Sequence, residues 1–286
     1  QDAESYANWG FDYLKYDWCS YGNVIDGLPE NDPLKVSSLS YNGGSELYLA
    51  MKPYKMMGEI LRQQPRDIVF SVCQYGMSDV WKWGDAVYGN CWRTTNDITD
   101  TWASVKNIAL DQDKSAPYAR PGNWNDPDML VVGHVGWGNP HPSKLKPDEQ
   151  YLHISLWSLF AAPLLIGCDM EKLDDFTLNL LTNDEVIEIN QDPLGKQATC
   201  LQTIGELRIY VKELEDGSKA VGFCNFGLDI AELSYTDFAK LGLNGQYNVR
   251  DLWRQKDVDR INTQTENLKI KVPVHGVVLY KFTTVK

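Results

Sequence analysis

The sequence predicts an α/β architecture, a parallel sheet covered by helices, followed by a smaller antiparallel β domain. Three observations carry this prediction. Strand-like apolar runs alternate with helix-period segments through about the first 190 residues. After Asn190-Gln191-Asp192-Pro193-Leu194-Gly195 the texture changes to hairpins without long intervening helices. With 43% hydrophobic and 23% charged side chains, 286 residues suffice for a sizeable core.

Taken in order, the first residues read as the end of a helix running into a strand at 11–16 (FDYLKY). A long polar loop leads to a helix-period segment at about 45–63 and the strand-like 67–73 (DIVFSVC). A short strand at about 90–94 precedes a helix at about 99–110, where Thr99 and Asp100 supply N-cap chemistry. The segment 124–132 reads as the next strand, followed by a Gly- and Pro-rich tract, a helix at about 147–161 opening with Pro-Asp-Glu, and a buried strand at 163–167. These are five strand-then-helix steps, whereas a complete (β/α)8 barrel needs about 250 residues. Residues 1–194 are therefore expected to form about the last five strands of a TIM barrel, and 195–286 an antiparallel β-sandwich built from 207–214, 220–225, 245–252, 268–272 and 277–282. With no Met start and no signal peptide, the chain is expected to be the C-terminal portion of a longer protein.

Lys+Arg 27 against Asp+Glu 39 gives a net charge of -12, so no broad basic face attracts phosphate backbones or anionic lipid, and neither nucleic acid nor membrane is an expected partner. The longest apolar stretch, 154–166, is broken by Ser155, Ser158 and Pro163 and falls short of the roughly 20 residues of a spanning helix. The 6 cysteines show no CxxC pairing and the 4 histidines no HxH or HExxH spacing, so neither zinc nor a redox dithiol is indicated and a His-ligated metal hydrolase is disfavoured. Disulfides stay open on this evidence. The 10 Trp and 15 Tyr combine a flat apolar face with a polar edge, as a sugar ring does.

In strand-helix barrels the chemistry sits where strands finish. Asp17 closes the first strand, Asp97 follows CWRTTN, and Asp126 and Asp128 lie in WNDPDML. Lys15 precedes Asp17 by two residues, on the same face of a strand, and Arg93 stands four residues before Asp97. One such Asp is most simply a helix cap or turn former. Several carboxylates at successive strand ends, each beside a cation or Trp, instead have their pKa values pushed apart. Glycoside hydrolysis uses such a set: one ionised carboxylate at the anomeric carbon, and one protonated carboxyl to release the leaving oxygen.

The segments LKYDWC, NCWRTTNDITDTW, GNWNDPDML, AAPLLIG and EVIEINQDPLGKQ resemble, in this order, the motifs of glycoside hydrolase family 27, the α-galactosidase and α-N-acetylgalactosaminidase family of retaining glycosidases. The resemblance covers nearly all of residues 1–200 and implies a (β/α)8 barrel followed by an antiparallel β domain, with no cofactor. By motif, Asp17 is the implied nucleophile and Asp97 the implied acid/base. Lys15 and Arg93 would hold sugar hydroxyls, and Asp128 and Met129 would line the pocket. Lys15 is expected to keep Asp17 ionised, and Asp97, which must carry a proton, is expected to have a raised pKa. Cys73 and Tyr75 lie where the family discriminates a 2-hydroxyl from a 2-acetamido group, and their bulk favours galactose by steric exclusion.

The implied function is a retaining exo-glycosidase acting on terminal α-D-galactosyl residues of a galactose-containing saccharide. The alternatives are an α-N-acetylgalactosaminidase, a β-L-arabinopyranosidase, or a non-catalytic carbohydrate-binding fragment. A secreted or periplasmic location is the corresponding expectation. The family's first three barrel strands have no counterpart here, so Cys19 lacks its usual partner; free thiols are expected, with Cys73–Cys91 the alternative pairing. A partial barrel leaves open edges, and the 286 residues alone are expected to hydrolyse little. The tract after Gly133, which includes Trp137, is a candidate rim for aglycone selection.

Overall fold

The computed structural model describes residues 1–136 and 138–285, and Trp137 of the candidate rim lies outside the described residues. The chain folds as two compact units, residues 1–97 with 122–126, and residues 98–121 with 127–286.

The first unit begins with α1 (Asp2–Asn8) and enters β1 (Tyr13–Asp17) where the alternation predicts a strand. The polar loop that follows holds two short helices, α2 (Tyr21–Asp26) and α3 (Pro33–Leu39). Asp32 accepts a hydrogen bond from Leu34 N, and Pro33 occupies the first helical position, a start signal that the reading of a plain loop passed over. Then come α4 (Ser45–Leu61), β2 (Val69–Cys73), β3 (Cys91–Arg93) and β4 (Trp124–Asp126). The four strands form a parallel sheet in the order β1-β2-β3-β4, with Lys15 opposite Ser71, Asp17 opposite Cys73, and Arg93 opposite Asp126. Helix α4 covers the sheet, its Tyr54 hydroxyl donating to Cys73 O at 2.9 Å and so fixing the end of β2. Asp12 is exposed and paired with Arg66.

β4 is shorter than the predicted 124–132. Pro127 cannot donate to the ladder, and Asp128 has a positive φ of 83°.

In the second unit, α5 (Trp102–Leu110) is capped by Thr101, whose Oγ1 accepts from Ser104 N, and not by Thr99 or Asp100. The Asp100 carboxylate is instead taken by Lys144 N at 2.9 Å and His141 Nε2 at 3.0 Å. The ribbon of β5 (His134–Val135) and β6 (His141–Pro142) leads to α6 (Pro147–Leu159). The predicted buried strand at 163–167 is reduced to a parallel bridge between Leu130 and Ile166, and Ile166 is 48% exposed. Two short helices, α7 (Asp175–Leu181) and α8 (Asp184–Asn190), follow.

The antiparallel region comprises β7 (Thr199–Ile204), β8 (Leu207–Glu213), β9 (Lys219–Asn225), β10 (Ala231–Tyr235), β11 (Gln246–Asp251), β12 (Lys256–Asn262), β13 (Leu268–Val272) and β14 (Val277–Thr284). Six strands pair as β12-β11-β14-β9-β8-β7, and β10 pairs with β13. β7, β10 and β12 lie outside the predicted hairpins: β12 exposes most of its residues and offers no apolar alternation to read. Helix α6 is buried along most of its length and shares a core with Tyr210, Ala220, Cys224 and Leu279 of the sheet, so packing runs across the change of texture at 194/195.

Candidate active site

Three consecutive strand ends of the first unit supply the polar side chains. Register explains the first contact. Asp17 and Cys73 are partners across adjacent parallel strands and project to one side, placing Cys73 Sγ 3.4 Å from Asp17 Oδ2. Cys73 is buried, which pushes its thiol up to about 12 against the lowering charges of Lys15 and Arg93, so the sulfur donates and does not ionise.

The chain after Cys73 turns sharply. Tyr75 and Gly76 have φ of 63° and 83°. The buried Gln74 pins the turn, accepting from Gly76 N at 2.7 Å and donating to Met77 O at 3.3 Å. A Cβ on Gly76 would lie 2.2 Å from Thr94 O, so only glycine lets the turn seat against the backbone after β3. This conformation carries the Tyr75 hydroxyl to Asp17 Oδ1, at 2.7 Å, where Cys19 N also donates at 3.3 Å.

Burial works to raise the Asp17 pKa, but the Tyr75 hydroxyl, the Cys19 N–H, the Cys73 thiol and lastly the Lys15 charge outweigh it and hold the carboxyl below its ordinary range. Lys15 acts in the expected direction, with the short-range donors ahead of it. The same bond pushes the Tyr75 phenol upward, because ionising it would set two anions side by side.

From β3, Arg93 is only 1% exposed. Its Nη2 donates to Thr95 O and to Asp97 Oδ1, each at 3.1 Å, and its guanidinium carbon stands 5.7 Å from the Tyr75 ring centroid. Asp97 is 73% exposed.

Lys15, Asp17, Cys73, Tyr75, Arg93 and Asp97 therefore sit on the strand ends of one unit. Asp128 and Met129 belong to the second unit. There the buried Asp128 accepts from Ile98 N and from Met129 N, both at 2.9 Å, which anchors the backbone immediately after Asp97. Met129 is partly buried and packs on the core, where a Cβ on Gly167 would meet its sulfur at 2.7 Å. Asp126 is fully buried, its carbonyl accepting from Thr94 N at 2.9 Å. Trp92 is buried and donates to Asn125 Oδ1 at 2.7 Å, a packing residue of the sheet. Sequence reasoning missed Gln74, Cys19 N–H and Thr95 C=O. Gly76 behind an aromatic residue at a strand end signals the turn, but nothing local signals the bonds that close it. All six cysteines are free thiols: Cys73 faces Asp17, and Cys91 lies 3.5 Å from the Tyr13 hydroxyl. Among the described residues no three His, Cys, Asp or Glu side chains gather as a metal-binding group, and no helix is long and apolar enough to cross a membrane.

A family model described as alpha galactosidase A matches residues 1–192. The chain belongs to this family, glycoside hydrolase family 27. A second model, the alpha galactosidase C-terminal beta sandwich domain, matches residues 204–282, the span of β8 to β14. Alpha-galactosidase 2 of Arabidopsis thaliana is 37% identical over 99% of this chain and 63% of its own length. Alpha-N-acetylgalactosaminidase of Gallus gallus is 30% identical over 98% of this chain and 64% of its own. The crystal structure of alpha-galactosidase I from Mortierella vinacea superposes with a TM-score of 0.82 at 26% identity, covering 98% of this chain and 70% of that one. The chain thus spans about three-fifths of the length of the curated relatives it matches.

Proposed function

We propose that this member of the family acts in the hydrolysis of terminal α-D-galactosyl residues by double displacement, with Asp17 as nucleophile and Asp97 as acid/base. The observation that carries the reading is the bonding of Asp17. A carboxylate held below its ordinary pKa range by a phenol, a thiol and a backbone N–H stays ionised near neutrality, as attack on an anomeric carbon requires. The Arg93–Asp97 pair stands at the next strand end but one. Lys15 and Arg93 are the cations available to sugar hydroxyls, and the family resemblance gives Asp128 and Met129 a pocket-lining role. Residues 1–194 are then read as part of an eight-stranded barrel and 195–286 as the sandwich, and a compartment outside the cytoplasm suits a saccharide substrate.

Galactose is favoured over N-acetylgalactosamine because Cys73 and Tyr75 bring bulk to the side of Asp17 where a 2-acetamido group would stand. A panel of nitrophenyl α-galactoside, α-N-acetylgalactosaminide and β-L-arabinopyranoside, offered to the protein as its source makes it, tests the reading. Hydrolysis of the first should lead, and Asp17→Asn should abolish it. Near-normal turnover by that variant refutes the assignment of the nucleophile.

A further inference from the structure

We propose that Tyr75 is the positioning residue of the nucleophile: its hydroxyl holds Asp17 Oδ1 and leaves Oδ2 as the oxygen that attacks the anomeric carbon. The inference rests on the proposed glycosidase reading and adds to it a residue and an atom.

The two oxygens of Asp17 are bonded differently. Oδ1 accepts a 2.7 Å bond from the phenol and a second from Cys19 N, whereas among the described residues Oδ2 has only the Cys73 thiol, a weak donor, at 3.4 Å. A carboxylate with one oxygen fixed cannot rotate freely, so the other points in one direction. Tyr75 is itself fixed. A bulky residue at φ 63° is uncommon and persists only where its surroundings over-determine it. Here Gln74 clamps the turn from within, Gly76 lets it rest on Thr94, and Arg93 lies over the ring.

In the first step the Oδ2–C1 bond forms as the bond from C1 to the aglycone oxygen breaks, and the Asp97 proton passes to that oxygen. Oδ1 becomes the carbonyl oxygen of the ester. In the second step water adds to C1, its proton goes to Asp97, and the C1–Oδ2 electron pair returns to the carboxylate. Charge reappears on Oδ1 at that moment, and the Tyr75 hydroxyl is already in place to receive it. The second step should therefore depend on Tyr75 more than the first.

Tyr75→Phe keeps the ring and its contact with Arg93 and removes only the donor. In the 286-residue chain with 13C-labelled aspartate, the carboxyl resonance identified by its loss in Asp17→Asn should titrate at higher pH in Tyr75→Phe than in wild type. In Asp17→Asn the Tyr75 phenol should titrate lower, which reads the same bond from the other side. An unmoved midpoint in either variant, with the remaining amide spectrum unchanged, overturns the proposal. In the protein as its source makes it, Tyr75→Phe should lower kcat by roughly hundredfold to thousandfold with little change in KM, the scale of losing one donor to a developing anion. A 2-deoxy-2-fluorogalactosyl enzyme should show its ester through Oδ2 with the phenol on Oδ1. An ester through the oxygen nearest Tyr75, or an undiminished kcat, sinks the proposal while leaving a galactosidase. Absence of α-galactoside hydrolysis by wild type sinks the functional reading, and the titrations still judge the bond.

Discussion

An exposed aspartate ordinarily titrates near pH 4, and Asp17 is displaced below that range by donors that meet only because two strands stand in register. The sign of the consequence is definite. The folded-state value lies below the unfolded one, so the ionised form is favoured by folding, and this contribution is present above the unfolded pKa and lost as pH falls through the folded one. The acid limb of kcat/KM should accordingly lie below pH 4 insofar as Asp17 sets it, and a pH-rate profile with an acid limb above pH 5 that Asp17 alone accounts for would contradict the bonding described. Arg93 offers a second test. Lysine at that position keeps the charge but lacks the planar guanidinium whose Nη2 donates to both Thr95 O and Asp97 Oδ1. Arg93→Lys should reduce stability by about 1–3 kcal/mol in urea unfolding, because the buried cation loses hydrogen bonds that the guanidinium makes. The placement of Asp17 and Lys15 on one face of one strand was legible from their spacing, since alternation fixes their common face. The Tyr75 contact was not, because it joins residues separated by four elements and needs a backbone conformation that Tyr seldom adopts.

At the scale of elements, the turn after β2 does more than connect. Gly76→Ala would force a Cβ to within 2.2 Å of Thr94 O at a residue whose φ is already positive. The substitution should destabilise by about 2 kcal/mol or more, measured by chemical denaturation, and should raise the Asp17 titration midpoint by displacing Tyr75. A variant as stable as wild type would mean that this packing is not what holds the turn. The cap of α5 gives a milder case. Thr101→Ala should lower stability by about 1 kcal/mol, and Thr99→Ala should do less, since Thr99 gives no N-cap bond. Legibility at this scale followed periodicity. β1, α4, β2 and α6 stand where alternation or helical spacing predicts them. The helix start at α5 shifted because two polar residues lie before Thr101, and tertiary partners on Lys144 and His141 claimed Asp100 first. The strand at 163–167 failed because an apolar run with Pro163 reads the same whether or not a ladder forms beside it.

For the whole molecule, composition and charge excluded partners without locating a site, and the motifs located it without its bonding. Open edges are expected from the sequence, and the register shows which peptide groups line the one at β1. Among the described residues β1 stands at the edge of the strand order and pairs only with β2. Val69 N bonds Asp12 O and Trp18 N bonds Cys73 O, so even-numbered peptide groups face β2 and those of Tyr13, Lys15 and Asp17 face the open side. The flanking apolar side chains Trp9, Phe11 and Tyr13 are 71%, 52% and 39% exposed. A row of peptide donors and acceptors beside exposed aromatic rings is a template for adding a strand. The 286-residue chain should therefore show a weight-average mass that rises with concentration in sedimentation equilibrium. Replacing Trp9 and Phe11 by Lys should suppress that rise, because charge repels a second edge and the rings no longer cover it, while the Asp17 titration stays where it was. A monomer at every concentration, or association indifferent to the two lysines, would show that this edge does not recruit a strand.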